Sequence, residues 1–203
     1  MRYLLLLPLL CLAALAHAAV APGDKAPTFT LPTATGETIN LADHKDKVII
    51  LEWVNFDCPF VRKHYVAQGD QPGNMPALQA MAKEHGMVWL SICSSAPGTQ
   101  GHFVGEALIE RIAKEKSAAT AYLIDEDGSV GRAYGARVTP HMFIIKDGKI
   151  VYAGGIDSIR STRASDIPNA TQYVRDVMVA IANGEEIPHS ETDAYGCTVK
   201  YAD

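Results

Sequence analysis

The chain has 203 residues, 48% of them hydrophobic and 20% charged, with a formal net charge of −5. That length fits one domain with a substantial core, and an acidic balance without long Lys/Arg runs excludes nucleic acid and anionic membrane as expected partners. Four cysteines are too few for a disulfide-scaffold protein, which turns attention to functional thiol chemistry.

Met1-Arg2 is a short basic start, followed by an apolar run over residues 4–15 and the small-residue site Ala16-His17-Ala18. This three-part pattern predicts a secretory signal peptide over residues 1–18. The run is too short to span a bilayer comfortably, so no membrane association is expected after cleavage, and the protein is expected to be exported, periplasmic or secreted. Arg2 is the only charged residue in that segment, so the mature chain is one charge more acidic. Cys11 leaves with it. Cys58, Cys93 and Cys197 remain, an odd set that points to one disulfide plus a free thiol, or to free reactive thiols.

Short extended pieces are expected at residues 29–31 and 38–41, around the turn Thr35-Gly36-Glu37. Residues 47–56 form a continuous β-rich apolar run, the pattern of a central parallel strand covered on both faces. A helix is predicted over 59–68, interrupted by Gly69-Asp70-Gln71-Pro72-Gly73, and another over 75–85, ended by Gly86. A second buried strand follows at 87–93, a helix at 103–117, a third strand at 120–124 and a short helix at 130–134. Strands at 141–146 and 149–153 meet at Asp147-Gly148, a strong hairpin signal. Residues 156–168 read as a polar loop, 170–183 as the last helix, and 185–203 as a loop-like tail carrying Cys197. This order makes the first two buried strands parallel neighbours, with ligands expected beyond their carboxyl ends.

Cys58 falls at that edge, where strand gives way to helix. Pro59 suits the first helical position, which places Cys58 at the N-cap, beneath unpaired N–H groups and the positive end of the helix dipole. Arg62, Lys63 and His64 add positive charge in the first turns, and Asp57 opposes them. The expected result is a reactive thiolate. Cys93 ends the neighbouring strand at the same edge and reads as a buried strand cysteine.

These features resemble the thioredoxin-like superfamily: a cysteine at a strand-to-helix junction, Val138-Thr139-Pro140 before a hairpin, and the Asp147-Gly148 turn followed by Ile150-Val151-Tyr152-Ala153-Gly154. The implied fold is α/β, a central mixed sheet with helices on both faces, over residues 19–184. Within the superfamily, Ala26-Pro27-Thr28-Phe29-Thr30-Leu31-Pro32, the run from Asn55 to Tyr65, Ala136-Arg137-Val138-Thr139-Pro140-His141 and the run from Gly196 to Tyr201 are similar to the redoxin group, the alkyl hydroperoxide reductase and thiol-specific antioxidant proteins. That resemblance implies a cis Pro140 facing Cys58. It also implies a peroxide or disulfide substrate, a thiol reductant and no cofactor. The second thioredoxin cysteine is replaced by Val61, which excludes dithiol chemistry within one helical turn. The proline and threonine that peroxiredoxins carry seven and three residues before the reactive cysteine are replaced by Leu51 and Asn55, and the Asn55 amide stands as a substitute donor. The expected site is therefore Cys58, with Cys197 as candidate resolving thiol, Asn55, Thr139 and Pro140.

Two other readings compete. Cys58, His64, His141 and Cys197 are soft S/N ligands that would suit Cu(I) or Zn if they converged, as in a copper-handling protein of this fold. The missing second cysteine also fits a non-catalytic binding domain.

Overall fold

The computed structural model describes residues 19–67 and 69–202. The expected signal peptide, residues 1–18, lies outside the described residues, and among these no helix is long and apolar enough to cross a membrane.

The elements are β1 (Thr30–Pro32), β2 (Thr38–Asn40), β3 (Ile49–Trp53), α1 (Pro59–Tyr65), α2 (Asn74–Glu84), β4 (Val88–Cys93), α3 (Gly105–Lys114), β5 (Ala121–Ile124), α4 (Ser129–Tyr134), β6 (Val138–Thr139), β7 (His141–Lys146), β8 (Lys149–Gly154), α5 (Tyr173–Asn183) and β9 (Cys197–Thr198). The central sheet runs β5-β4-β3-β7-β8. β3 is parallel to β4, with Ile49 opposite Val88, and antiparallel to β7, with Trp53 opposite His141. This is the mixed sheet the sequence predicts. Asp147 and Gly148 both adopt positive φ, 53° and 74°, the backbone a tight hairpin between β7 and β8 demands.

Alternation along β3 sends its side chains into two cores. Ile50 packs with Val61, Tyr65, Leu78, Trp89 and Val177 on the side covered by α1, α2 and α5. Ile49, Leu51 and Trp53 pack with Phe29, Leu31, Leu90, Tyr134 and Phe143 on the side covered by α4 and the β1–β2 hairpin. Each fully covered aliphatic side chain contributes about 1.5–3 kcal/mol.

The tail differs from the expected loop. Ala153 N–H donates to Ser190 O at 3.0 Å, Thr192 N–H to Ala153 O at 3.1 Å, Val199 N–H to Arg137 O at 3.0 Å and Ala96 N–H to Lys200 O at 2.7 Å. β9 pairs antiparallel with β6, with Thr139 opposite Cys197. The tail is strapped across the carboxyl edge of the sheet because its backbone groups find partners there.

Candidate active site

β3 ends at Trp53, and the chain turns through Asn55, Phe56 and Asp57 into α1. Asn55 shapes that turn: its Oδ1 accepts from Asp57 N–H at 2.8 Å, its carbonyl accepts from Cys58 N–H at 2.9 Å, and its Nδ2 donates to Gln100 O at 3.0 Å. The Asn55 amide is thus tied into the loop rather than presented to the sulfur. Arg111, which the sequence reading passed over, clamps the same turn from α3. It donates to the Asp57 carboxylate and to Phe56 O, both at 2.6 Å, so the Asp57 charge is paired.

Cys58 is the N-cap of α1 and is fully buried, but its sulfur makes no capping bond. The thiol instead donates across the site to Thr139 O at 3.1 Å. Thr139-Pro140 is a cis peptide bond, as the resemblance implied, and it stands against Cys58. The same segment brings Cys197 to Cys58, because Thr139, whose carbonyl receives the Cys58 thiol, pairs with Cys197 across the β6–β9 ladder. Burial first, then the contact with Cys58, pushes the Cys197 thiol up to about 12. Both cysteines are free thiols, and Cys197 is half-buried. Gly196, at φ 148°, makes the approach possible: a Cβ there would lie 1.9 Å from Thr139 O.

The expected positive charge beneath Cys58 is directed elsewhere. Lys63 is buried against Asp157 at 3.2 Å and donates to Ile159 O at 2.9 Å and to Tyr195 Oη at 3.0 Å. Tyr195 donates in turn to Asp157 and stacks edge-on against Phe60. His64 is held neutral, pushed down to about 3 by burial and by the Lys63 charge. Lys63, His64 and Asp157 are all buried and have no route to solvent, so they pair internally.

His141 also stays out of the thiol site. Its Nδ1 takes the Arg137 N–H at 3.4 Å, its ring packs on Phe143, and burial followed by the Arg137 charge pushes it down to about 4. Among the described residues no three His, Cys, Asp or Glu side chains form a group that could hold a metal. Cys58, His64, His141 and Cys197 are therefore not the metal set weighed from the sequence. Cys93 donates to Gly101 O at 3.5 Å within the core.

A second buried group was missed. Glu52, in the middle of β3, accepts hydrogen bonds from Ser91 Oγ at 2.7 Å, Trp89 Nε1 at 2.8 Å, Tyr65 Oη at 2.9 Å and Gln79 Nε2 at 3.2 Å. Burial raises its pKa, and these donors offset part of the rise. A lone carboxylate inside an apolar strand run was the available signal.

A mixed sheet, a buried cysteine at the first helix and a cis-proline segment against its sulfur define a thioredoxin-like protein. The Redoxin family model matches residues 21–173, and the chain belongs to the Redoxin family. Among solved structures, the chain is similar to an uncharacterized conserved protein from Geobacillus kaustophilus, at 25% identity and TM-score 0.76, covering 89% of this chain and 92% of that one. It is also similar to a hypothetical protein from Sinorhizobium meliloti 1021, at 24% identity and TM-score 0.72, covering 91% and 97%. The thioredoxin domain of a thiol-disulfide oxidoreductase from Bacteroides vulgatus shares the fold at 20% identity and TM-score 0.52, covering 74% and 98%. A comparison with curated proteins gives no match.

Proposed function

We propose that this chain is an exported thiol oxidoreductase of the peroxiredoxin-like type, working through Cys58 and Cys197. The observation that carries the reading is that two free thiols meet at one segment: Thr139 O accepts from Cys58, and Thr139 pairs with Cys197 across the β6–β9 ladder. The Cys58 sulfur attacks the distal oxygen of a hydroperoxide. The O–O bond breaks, the alcohol or water leaves with a proton, and Cys58 becomes a sulfenic acid. Cys197 then attacks that sulfur, the S–S bond forms and water leaves. An external thiol supplies the two electrons that restore both cysteines. A disulfide substrate would enter the same cycle by exchange. Cys58 is sealed from solvent, which favours the small hydroperoxide over a protein disulfide. Export rests on the residue 1–18 pattern alone.

The test is chemical trapping. Reduced Cys197→Ala protein, given stoichiometric hydrogen peroxide, should label at Cys58 with a dimedone-type reagent, while the parent chain should yield a mapped Cys58–Cys197 disulfide. Absence of both products beside a working control removes the reading.

A further inference from the structure

Thr139 has a side chain that the fold leaves without employment. Its Oγ1 is buried and has no hydrogen-bond partner among the described residues. Buried hydroxyls are ordinarily bonded, so an unpartnered one calls for a reason. A valine would suit a two-residue strand as well and would carry no desolvation penalty.

Its position supplies the reason. Thr139 stands directly opposite Cys197 in the β6–β9 ladder, so the two side chains share one face of that ladder. The Thr139 carbonyl receives the Cys58 thiol at 3.1 Å, so the residue that pairs with Cys197 also meets Cys58. The buried hydroxyl therefore sits on the residue that meets both cysteines. The other polar groups nearby are engaged. The Asn55 amide donates to Gln100 O, and His141 Nδ1 takes the Arg137 N–H.

We infer that the Thr139 hydroxyl is a catalytic hydrogen-bond donor to the oxygen transferred onto Cys58. This rests on the peroxide reading above. As the thiolate attacks, the distal peroxide oxygen bonds to sulfur while the O–O bond breaks, and the departing oxygen leaves as alcohol or water with a proton. Charge shifts over the oxygens in a pocket closed to solvent. Thr139 Oγ1–H donates to the oxygen that stays on sulfur and keeps no part of it. When Cys197 attacks the sulfenic acid, that oxygen departs as water and the hydroxyl returns to its unpartnered state. Thr139 thereby fills the role left open where Asn55 is tied into its loop.

The experiment compares Thr139→Val with its parent, both carrying Cys197→Ala so that the sulfenic acid persists. Two rates are read: sulfenic acid formation with hydrogen peroxide, and Cys58 alkylation by iodoacetamide, which places no oxygen on sulfur. The peroxide rate should fall tenfold or more, the alkylation rate should hold within about twofold, and Thr139→Ser should restore the peroxide rate. Folding stability should not fall, since an unsatisfied hydroxyl is removed. Thr139→Ala replaces the valine variant if that variant does not fold. Equal peroxide rates in variant and parent, or a parallel loss in alkylation, overturn the inference and leave the Cys58–Cys197 reading standing. No sulfenic acid in the Cys197→Ala parent overturns both.

Discussion

Thr139 and Cys197 face each other across a two-residue antiparallel ladder, and Thr139 O also receives the Cys58 thiol from the start of the first helix. The ladder exists because Gly196 lets the tail backbone approach Thr139 O.

Gly196→Ala should break that approach. The added Cβ meets a backbone oxygen at 1.9 Å, and φ 148° is unfavourable for alanine. We expect a loss of about 2–4 kcal/mol in stability and a sharply reduced yield of Cys58–Cys197 disulfide after mild oxidation. Urea denaturation and thiol counting check both. Unchanged disulfide yield would show that the tail reaches Cys58 without this ladder.

Disulfide closure should accelerate with pH. The Cys197 thiol is pushed up to about 12, chiefly by burial, and burial persists after Cys58 is oxidised. The attacking species is the thiolate, whose fraction rises about tenfold per pH unit below its pKa. Stopped-flow measurement of closure between pH 6 and 9 should give a slope near one on logarithmic axes. A flat profile would mean that Cys197 is already ionised.

Much of the architecture was legible in the sequence, and the reason lies in particular residues. The apolar run over residues 47–56 announced β3, Pro59 announced the start of α1, and Asp147-Gly148 announced the β7–β8 hairpin, all through local rules. Val138-Thr139-Pro140 was readable only through resemblance. β6 and β9 were not legible, because two-residue strands carry no periodicity and exist only through each other. Lys63 read as positive charge in the first turns of α1, acting on Cys58. Its real partners, Asp157 and Tyr195, lie on segments that sequence spacing does not bring together. Arg111 was likewise an unremarked charge on an amphipathic helix until α3 was seen against the Phe56–Asp57 turn.

Lys63→Met should be strongly destabilising, by about 3–5 kcal/mol, because it leaves the Asp157 charge buried without its cation. The double variant Lys63→Met/Asp157→Asn should recover a large part of that loss. Equilibrium denaturation of the three proteins forms the comparison. Additive losses would show that the two side chains do not act as a pair.

Acid should weaken the fold well before carboxylates titrate. His64 and His141 are pushed down to about 3 and about 4, while an unfolded imidazole titrates near 6.5. The unfolded chain therefore binds more protons as pH falls through 6.5, and stability is lost downward from there by about 1.4 kcal/mol per pH unit for each imidazole. Glu52 acts in the opposite sense, since its raised pKa removes stability as pH rises above 4.5. Denaturation midpoints at pH 7 and pH 5 should differ, and His64→Gln should flatten the difference. A midpoint insensitive to pH over that range would refute the neutral-imidazole assignment.

The strapped tail also sets a schedule for the molecule's birth. Cys58 leaves the ribosome long before Cys197 does, so the nascent chain carries its first sulfur without the second. The central sheet and its helices all precede the strap in the chain, and the two thiols meet only where the strap docks. On the proposed reading the reactive centre is complete only with the strap in place, and a chain cut short before Gly196 would carry the sheet without its second sulfur.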